Sequence, residues 1–209
     1  MAYLKMQEVL DELALHDKTV FSIYDAARIM NKPNNYVSKL LSNNKKVKRI
    51  ERGKYYLKNG RGINIYEIAS QVVFPSYVSM FAAFQFYSVT EQFVVKYSVV
   101  TLKRHRPITI EDNAVEFIKI QKERFFGYKK TGNAYVATIE KAIVDSLYLG
   151  SPPFSYVEEA FAESLHRKMI NVDLLVDFAL RMKKKATAKR VEVLLRSENI
   201  YSDRLQEAL

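Results

Sequence analysis

The sequence predicts an α+β protein: an N-terminal winged helix-turn-helix over residues 1–60, then a mixed α/β domain over residues 61–209 with a small sheet and a helical C-terminal tail. Three observations predict this organisation. Two short amphipathic segments meet at Pro33, and a strongly basic hairpin follows them. Residues 59–62 then contain two glycines in four positions, which is typical of a loop between domains.

The first domain is predicted to begin with a bracing helix over residues 3–15 and a short strand over residues 19–21. A second helix starts at Ser22, because Ser22 and Asp25 have the spacing of a capping box in which Asp replaces the usual Glu. The apolar residues that follow recur at helical spacing. Pro33 ends this helix and suits the first turn of the next one.

The third helix is predicted to carry the residues that read DNA. Val37, Leu40 and Leu41 form its apolar face, and the polar residues are left for the opposite face. Asn can pair bidentately with adenine, Ser can reach several base edges, and Lys suits guanine or phosphate. The candidate DNA contacts on this helix are Asn34, Asn35, Tyr36, Ser38 and Lys39.

A basic wing is predicted around the turn at Arg52 and Gly53, since glycine readily takes a positive φ angle. Residues 39–58 contain eight Lys and Arg against Glu51 alone, so eight minus one gives +7 of the whole chain's +10. Such a concentration is expected of an electrostatic footprint on nucleic acid. A solvated face on a helix-turn-helix that serves only for packing is the alternative. The candidate contacts here are Lys45, Lys48, Arg49, Arg52 and Lys54.

Composition narrows the class of protein. The chain has no cysteine, so it can form neither a disulfide nor a thiolate site. No stretch approaches the roughly 20 apolar residues of a membrane span, and the acidic residues near the N-terminus are unlike a signal peptide. We therefore expect a cytoplasmic protein without a membrane partner. A sequence pI of 9.5 favours a polyanionic partner.

The second domain is predicted to mix helices with short strands. Expected helices span residues 63–71, 76–87 with Ser76 as the cap, 139–149 behind Thr138, 156–166, 172–182 behind Asn171, and 189–196. Expected strands span residues 93–102, 108–110 and 115–120, with a hairpin over 125–137.

The polar residues of the second domain do not predict a catalytic centre. Glu140, Lys141 and Asp145 share one predicted helix, but adjacent residues lie about 100° apart, and a structural role is favoured. The carboxylates around Asp112 lack the spacing of a nuclease metal site, and the three histidines lie in separate contexts. We expect no enzyme activity, no cofactor and no metal ion.

A second basic cluster follows in the C-terminal helices. It would suit the DNA backbone or an acidic face of a protein partner. The alternative is a solvated helix end that complements the dipole of the preceding helix. Its members are Lys183, Lys184, Lys185, Lys189 and Arg190.

Four motifs of the second domain carry a family resemblance. They are Phe-Pro-Ser-Tyr-Val-Ser at 74–79, Val-Val-Thr at 99–101 before basic residues, Arg-Phe-Phe-Gly-Tyr at 124–128, and Ala-Thr-Ile-Glu-Lys-Ala-Ile-Val-Asp at 137–145. In this order they resemble the AbiEi antitoxins of type IV toxin–antitoxin systems, also described as transcriptional regulators of viral defence systems. The resemblance extends from the winged helix to residues 189–196.

The resemblance implies two functions. The winged helix would bind operator repeats upstream of its own operon and repress it, and the C-terminal domain would counteract a nucleotidyltransferase-like toxin, AbiEii. A homodimer is compatible with paired half-sites. The turn at residues 103–106 departs from the family because it lacks an extended Arg-rich cluster, which leaves the second domain's share of DNA contact open. Two alternatives stand: a free-standing winged-helix regulator whose second domain dimerises or senses a ligand, and a nucleic-acid enzyme with a basic docking domain.

Overall fold

Three helices and a three-stranded antiparallel sheet form an N-terminal unit, residues 2–58, in the computed structural model, which describes residues 2–15, 18–58, 63–93 and 96–209. Its elements are α1 (Ala2–Leu15), β1 (Val20–Ser22), α2 (Ile23–Met30), α3 (Asn34–Ser42), β2 (Val47–Glu51) and β3 (Lys54–Leu57). The strands lie in the order β1-β3-β2. The boundary expected at residues 59–62 and the histidine at position 16 lie outside the described residues.

The start of α2 is fixed by the capping box that the sequence predicts. Ser22 Oγ accepts a hydrogen bond from the Asp25 backbone N–H, and the Asp25 carboxylate accepts one from the Ser22 N–H at 2.8 Å. Burial alone would raise the pKa of Asp25, but the two hydrogen bonds from Ser22 and the charges of Lys18 and Arg28 outweigh it and lower the pKa below its ordinary value. The expected turn at Gly53 is also confirmed, with a φ of +78°.

The C-terminal unit, residues 63–209, builds its core around a six-stranded mixed sheet in the order β6-β7-β5-β4-β9-β8. Its strands are β4 (Ser76–Val78), β5 (Lys96–Thr101), β6 (Ile108–Ile110), β7 (Asn113–Lys119), β8 (Tyr128–Thr131) and β9 (Ala134–Ala137). Its helices are α4 (Ile65–Val72), α5 (Met80–Phe86), α6 (Ile139–Leu149), α7 (Phe154–His166), α8 (Val172–Arg181), α9 (Lys185–Ser197) and α10 (Asp203–Ala208). The chain is thus a mixed α+β protein, as predicted.

One predicted element is wrong: residues 76–78 form a strand rather than the first turn of a helix. Strand β4 lies between β5 and β9 and pairs with both, so its backbone groups are satisfied by the sheet. Ser76 Oγ donates to the Ser70 carbonyl instead of capping a helix. Tertiary pairing overrides the apolar spacing that favoured a helix, and α5 begins only at Met80. Helix α10 was not predicted.

A seam of hydrogen bonds and apolar contacts joins the two units. Gln71 Oε1 accepts hydrogen bonds from the backbone N–H groups of Thr19 and Val20, each at 3.2 Å, and Thr19 Oγ1 donates to Glu67. On the same sheet, Tyr56 is buried within an apolar cluster of the C-terminal unit. The N-terminal sheet is therefore covered on both faces.

Replacing Ser22 by Ala should destabilise the protein by about 1 kcal/mol, within a range of roughly 0.5–2, because it removes the cap of α2. Urea denaturation at neutral pH measures this loss. The folded-state pKa of Asp25 is lowered, so the capping contribution is complete above its ordinary value of 3.8 and is lost as the pH falls further. Ser155→Ala is the control, because Ser155 is exposed and makes no side-chain hydrogen bond to any described residue. Equal losses in the two variants would contradict the capping role.

Candidate nucleic-acid interface

Helix α3 exposes a polar face. Val37 and Leu41 are buried at 0% and 1% exposure and anchor the helix on the N-terminal core. At about 100° per residue, Asn35 and Lys39 lie farthest from these two side chains, and both are exposed. Ser42 lies on the same outer face, although the sequence prediction did not include it. The outer face therefore combines an amide, an ammonium group and a hydroxyl.

The other predicted residues of α3 lie on its flanks. Asn34 and Tyr36 are exposed at the first turn. Asn35 Oδ1 accepts a hydrogen bond from the Tyr36 backbone N–H at 2.8 Å, so pairing that oxygen with a base requires this bond to break. Ser38 is half-buried, with its Oγ 3.5 Å from the Tyr55 hydroxyl, and faces the hairpin rather than solvent.

Two of the hairpin cations are held in ion pairs. Lys48 Nζ lies 2.6 Å from Glu111 Oε1 of the C-terminal unit, and Lys54 Nζ lies 2.9 Å from Glu51 Oε1. Both ammonium groups retain part of their exposure. Their positive charge is offset locally, so the sequence count of +7 overstates the charge that this surface presents to a polyanion.

The remaining cations of this surface are open to solvent. Lys39, Lys45 and Arg52 are exposed and form no ion pair with any residue that the structure describes. Arg49 is exposed as well, and its Nε donates to the Glu51 carbonyl at 3.1 Å, which steadies the guanidinium at the edge of the hairpin. Helix α3, the loop that follows it and the hairpin therefore form one surface, on which these four cations are among those available.

Glu111 ties the hairpin to the C-terminal unit. It follows β6 and accepts hydrogen bonds from Lys48 and from the Tyr56 hydroxyl. These bonds lower the pKa of Glu111, and the bond to Glu111 raises the pKa of Lys48. Because the pKa of Glu111 is lowered, the contact is complete above the ordinary value of 4.5 and weakens as the carboxylate is protonated at lower pH.

The loop at residues 103–106 reaches the hairpin, which sequence reasoning missed. His105 Nε2 lies 3.1 Å from Glu51 Oε1, and its ring packs edge-on against Phe117 at 4.6 Å between centroids. Burial alone would raise the pKa of Glu51, but hydrogen bonds from Lys54 and His105 lower it below its ordinary value. The exposed cationic residues flanking His105 therefore lie close to the hairpin. The sequence separation of 54 residues leaves no local signal for this contact.

Two side chains of the second basic cluster cap α6, although α6 is not adjacent to the cluster in sequence. Arg190 Nη1 donates to the Leu147 carbonyl, and Lys184 Nζ donates to the Tyr148 carbonyl at 3.3 Å. Both carbonyls belong to the last turn of α6, whose negative dipole end favours cations. These two side chains therefore complement the dipole of α6, whereas the alternative reading of the cluster named the preceding helix, α8. Lys183, Lys185 and Lys189 are exposed.

The longest of the four motifs, residues 137–145, has its charged side chains buried in the core. Lys141 and Asp145 are fully buried and form an ion pair one turn apart on α6, where Asp145 also accepts hydrogen bonds from Tyr77 and Ser79. Burial lowers the pKa of Lys141 and raises that of Asp145, and each charge partly offsets the effect on the other. Glu140 accepts the Asn171 backbone N–H at 3.0 Å. These side chains hold the fold and offer nothing to a molecule in solvent.

Neither a membrane-spanning helix nor a metal-ion site occurs in the described ranges of the chain. Within them no helix is both long enough and apolar enough to cross a membrane. The same ranges hold no group of three or more His, Cys, Asp or Glu side chains placed to bind a metal ion.

The fold and this surface define a mixed α+β chain with a basic N-terminal unit. Comparison with family models gave no match, and neither did comparison with curated proteins. Among solved structures, the chain is similar to the crystal structure of the RV2827C protein from Mycobacterium tuberculosis, with a TM-score of 0.59. The similarity covers 98% of this chain and 80% of that chain at 11% sequence identity. At this identity it shows a shared fold.

Replacing Asp145 by Ala should destabilise the protein by roughly 3–5 kcal/mol, because it leaves the Lys141 ammonium buried without its partner. Chemical denaturation followed by circular dichroism measures the loss. Asp177→Ala is the matched control, since Asp177 pairs with Arg204 at the surface and should contribute much less. A loss no larger than the control's would show that the buried pair does not stabilise the fold.

Proposed function

We propose that the N-terminal unit is a winged helix-turn-helix that binds duplex DNA, with α3 in the major groove and the β2–β3 hairpin as the wing. The observation that carries this proposal is the polar outer face of α3 beside the hairpin cations. Val37 and Leu41 fix the helix from behind, and Tyr55 of the hairpin meets Ser38 on its flank. Recognition helices of this class contact base edges with their N-terminal residues.

Base reading is assigned to the first turns of α3. Asn35 is exposed on the outer face and can form two hydrogen bonds to adenine once its Oδ1 leaves the Tyr36 backbone. Lys39 lies one turn later on the same face and suits guanine or phosphate. Asn34 and Tyr36 flank this line, and Ser38 contributes chiefly by packing against the hairpin.

Phosphate contact is assigned to the cations that no carboxylate holds. Arg49, Arg52 and Lys45 supply affinity and salt dependence without sequence information. Lys48 and Lys54 contribute less, because Glu111 and Glu51 already hold them.

The biological role proposed for this DNA binding follows from the family resemblance. The protein would act as an antitoxin that represses its own operon through the winged helix and counteracts a nucleotidyltransferase-like toxin through the C-terminal unit. The internal position of Lys141 and Asp145 requires that other residues of this unit contact the toxin. On this proposal the protein acts by binding rather than by catalysis.

Asn35→Ala should weaken binding to the operator by roughly 1–3 kcal/mol and binding to random duplex DNA much less, because a base contact carries the sequence information. Arg52→Ala should weaken both and reduce the salt slope by about one unit. Titrations on both duplexes at several salt concentrations measure these effects. Neither residue packs in the core, so both variants should fold.

Two controls accompany these variants. Asn43→Ala removes an exposed amide from the opposite end of α3, and Lys122→Ala removes an exposed cation from the C-terminal unit. Both should bind as the unchanged protein does. If Asn35→Ala loses operator and random binding equally while Arg52→Ala affects only the operator, the two surfaces have been assigned in reverse.

A reporter fused to the region upstream of the gene should lose activity when the protein is supplied, and Asn35→Ala should restore it. The same variant should still protect cells from a nucleotidyltransferase-like toxin encoded next to the gene, since the proposed functions reside in different units. Colony counts under toxin induction measure protection. An unchanged reporter with the protein present would refute autorepression, and unprotected cells would refute the antitoxin role.

A further inference from the structure

A cleft of about 330 Å³ lies within the C-terminal unit, where the start of α5, the start of β5 and the start of α7 come together. We call it the aromatic cleft, because Phe81, Phe93 and Tyr156 line it. Ligand sites in proteins have volumes of roughly 300–1,000 Å³ and are mostly apolar, with a few polar groups that orient the ligand. The aromatic cleft is therefore large enough for a small organic molecule.

The walls of the aromatic cleft present ring surfaces. The Phe81 and Tyr156 rings meet edge-on, with 5.7 Å between centroids and 78° between planes, and both side chains are half-buried. Phe93 is 88% exposed, so most of its ring is uncovered. Flat aromatic groups pack favourably on such rings, either stacked with an offset or edge-on. The cleft therefore suits a planar ring.

The charge of the aromatic cleft is balanced. Lys96 is the one charged side chain among the described residues that line it. Its Nζ lies 2.7 Å from Glu116 Oε2, and the other carboxylate oxygen of Glu116 accepts a hydrogen bond from Ser98 Oγ at 2.7 Å. The carboxylate thus offsets the ammonium charge. Because an ion loses much more than a neutral molecule on leaving water, this lining favours an uncharged ligand.

Two polar groups of the aromatic cleft are available to a ligand. The Tyr156 hydroxyl and the Gln92 side-chain amide form no hydrogen bond with any described residue. Gln92 is exposed, and its backbone N–H donates to the Thr90 hydroxyl at 3.3 Å, which leaves the side chain free. A hydroxyl and an amide can each donate and accept hydrogen bonds. A ring that carries its own N–H and C=O groups can therefore pair with them.

A strained backbone position also lines the aromatic cleft. Met80 is buried, with 1% exposure, and has a φ of +60°, which bulky residues other than glycine rarely adopt. The preceding residue is held firmly: the Ser79 backbone N–H donates to the Ser98 carbonyl at 3.0 Å, and Ser79 Oγ donates to Asp145 at 2.8 Å. Strained positions persist where their surroundings fix them, and they cluster at ligand sites. The buried side of the cleft is therefore formed before any ligand arrives.

We infer that the aromatic cleft binds a small, uncharged heteroaromatic molecule that carries hydrogen-bonding groups on its ring. The ring lies against Phe93 and the Phe81–Tyr156 pair, and its polar groups meet the Tyr156 hydroxyl and the Gln92 amide. None of the residues proposed to contact DNA lines this cleft. The inference therefore does not depend on DNA binding.

The test is calorimetric titration of the full chain with three probes: quinazolinone, a quinazolinone carboxylate, and the saturated lactam piperidone. Quinazolinone should bind with a dissociation constant of about 1 mM or lower, and piperidone at least about tenfold more weakly because it lacks the aromatic ring. The carboxylate should bind more weakly than quinazolinone, since its charge finds no unpaired cation among the described lining residues. Quinazolinone that binds no more tightly than piperidone, or less tightly than the carboxylate, would overturn the inference.

Variants then locate the site. Phe93→Ala should weaken quinazolinone binding by about fivefold or more, since it removes a ring contact, and Tyr156→Phe by about threefold or more, since it removes only the hydroxyl. Phe74→Ala and Tyr201→Phe are the matched controls, because both side chains are exposed and neither lines the cleft. Unchanged affinity in both cleft variants, or equal losses in the controls, would overturn the site. Melting curves verify that each variant is folded.

Discussion

Successive tyrosines on β3 couple the two units of this protein. Neighbouring strand residues point to opposite faces, so Tyr55 enters the N-terminal core and Tyr56 enters the C-terminal unit. Tyr55 stacks on Phe21 at 5.8 Å between ring centroids, and the Tyr56 hydroxyl donates to Glu111. One short strand is thus buried on both sides. The position of the hairpin relative to α3 and to the six-stranded sheet depends on this burial of both faces of β3.

The basic residues of α3 and the hairpin fall into two groups, according to whether a carboxylate pairs with them. Lys48 pairs with Glu111 of the C-terminal unit, and Lys54 pairs with Glu51 of the hairpin. These pairs help to hold the hairpin in place. Lys39, Lys45 and Arg52 project away and remain available to a polyanion. Residues that look equivalent in a charge count therefore serve different purposes, and only three-dimensional placement separates them.

The sequence correctly predicted those parts of the fold that are determined by residues close together in the chain. The capping box of α2, the turn at Gly53 and the Thr138 cap of α6 each depend on residues within a few positions of one another. The candidate surface on α3 was likewise identified from helical spacing. Strand β4 was misassigned because only its partners, more than 20 residues away in sequence, make it a strand. The His105–Glu51 and Lys48–Glu111 contacts also lack a local signal.

The motif that most resembles the AbiEi family has a physical role inside the core. Lys141 and Asp145 are enclosed, and Gly127 of a second motif lies against Lys141, leaving no room for a Cβ atom. Tyr77 of a third motif donates to Asp145. Three of the four motifs therefore meet at one buried ion pair, so what they specify is a way of packing helix α6 onto the sheet. Lys141 and Asp145 are therefore inaccessible to any other molecule, and a substitution at either should appear as a loss of stability rather than as the loss of a surface contact.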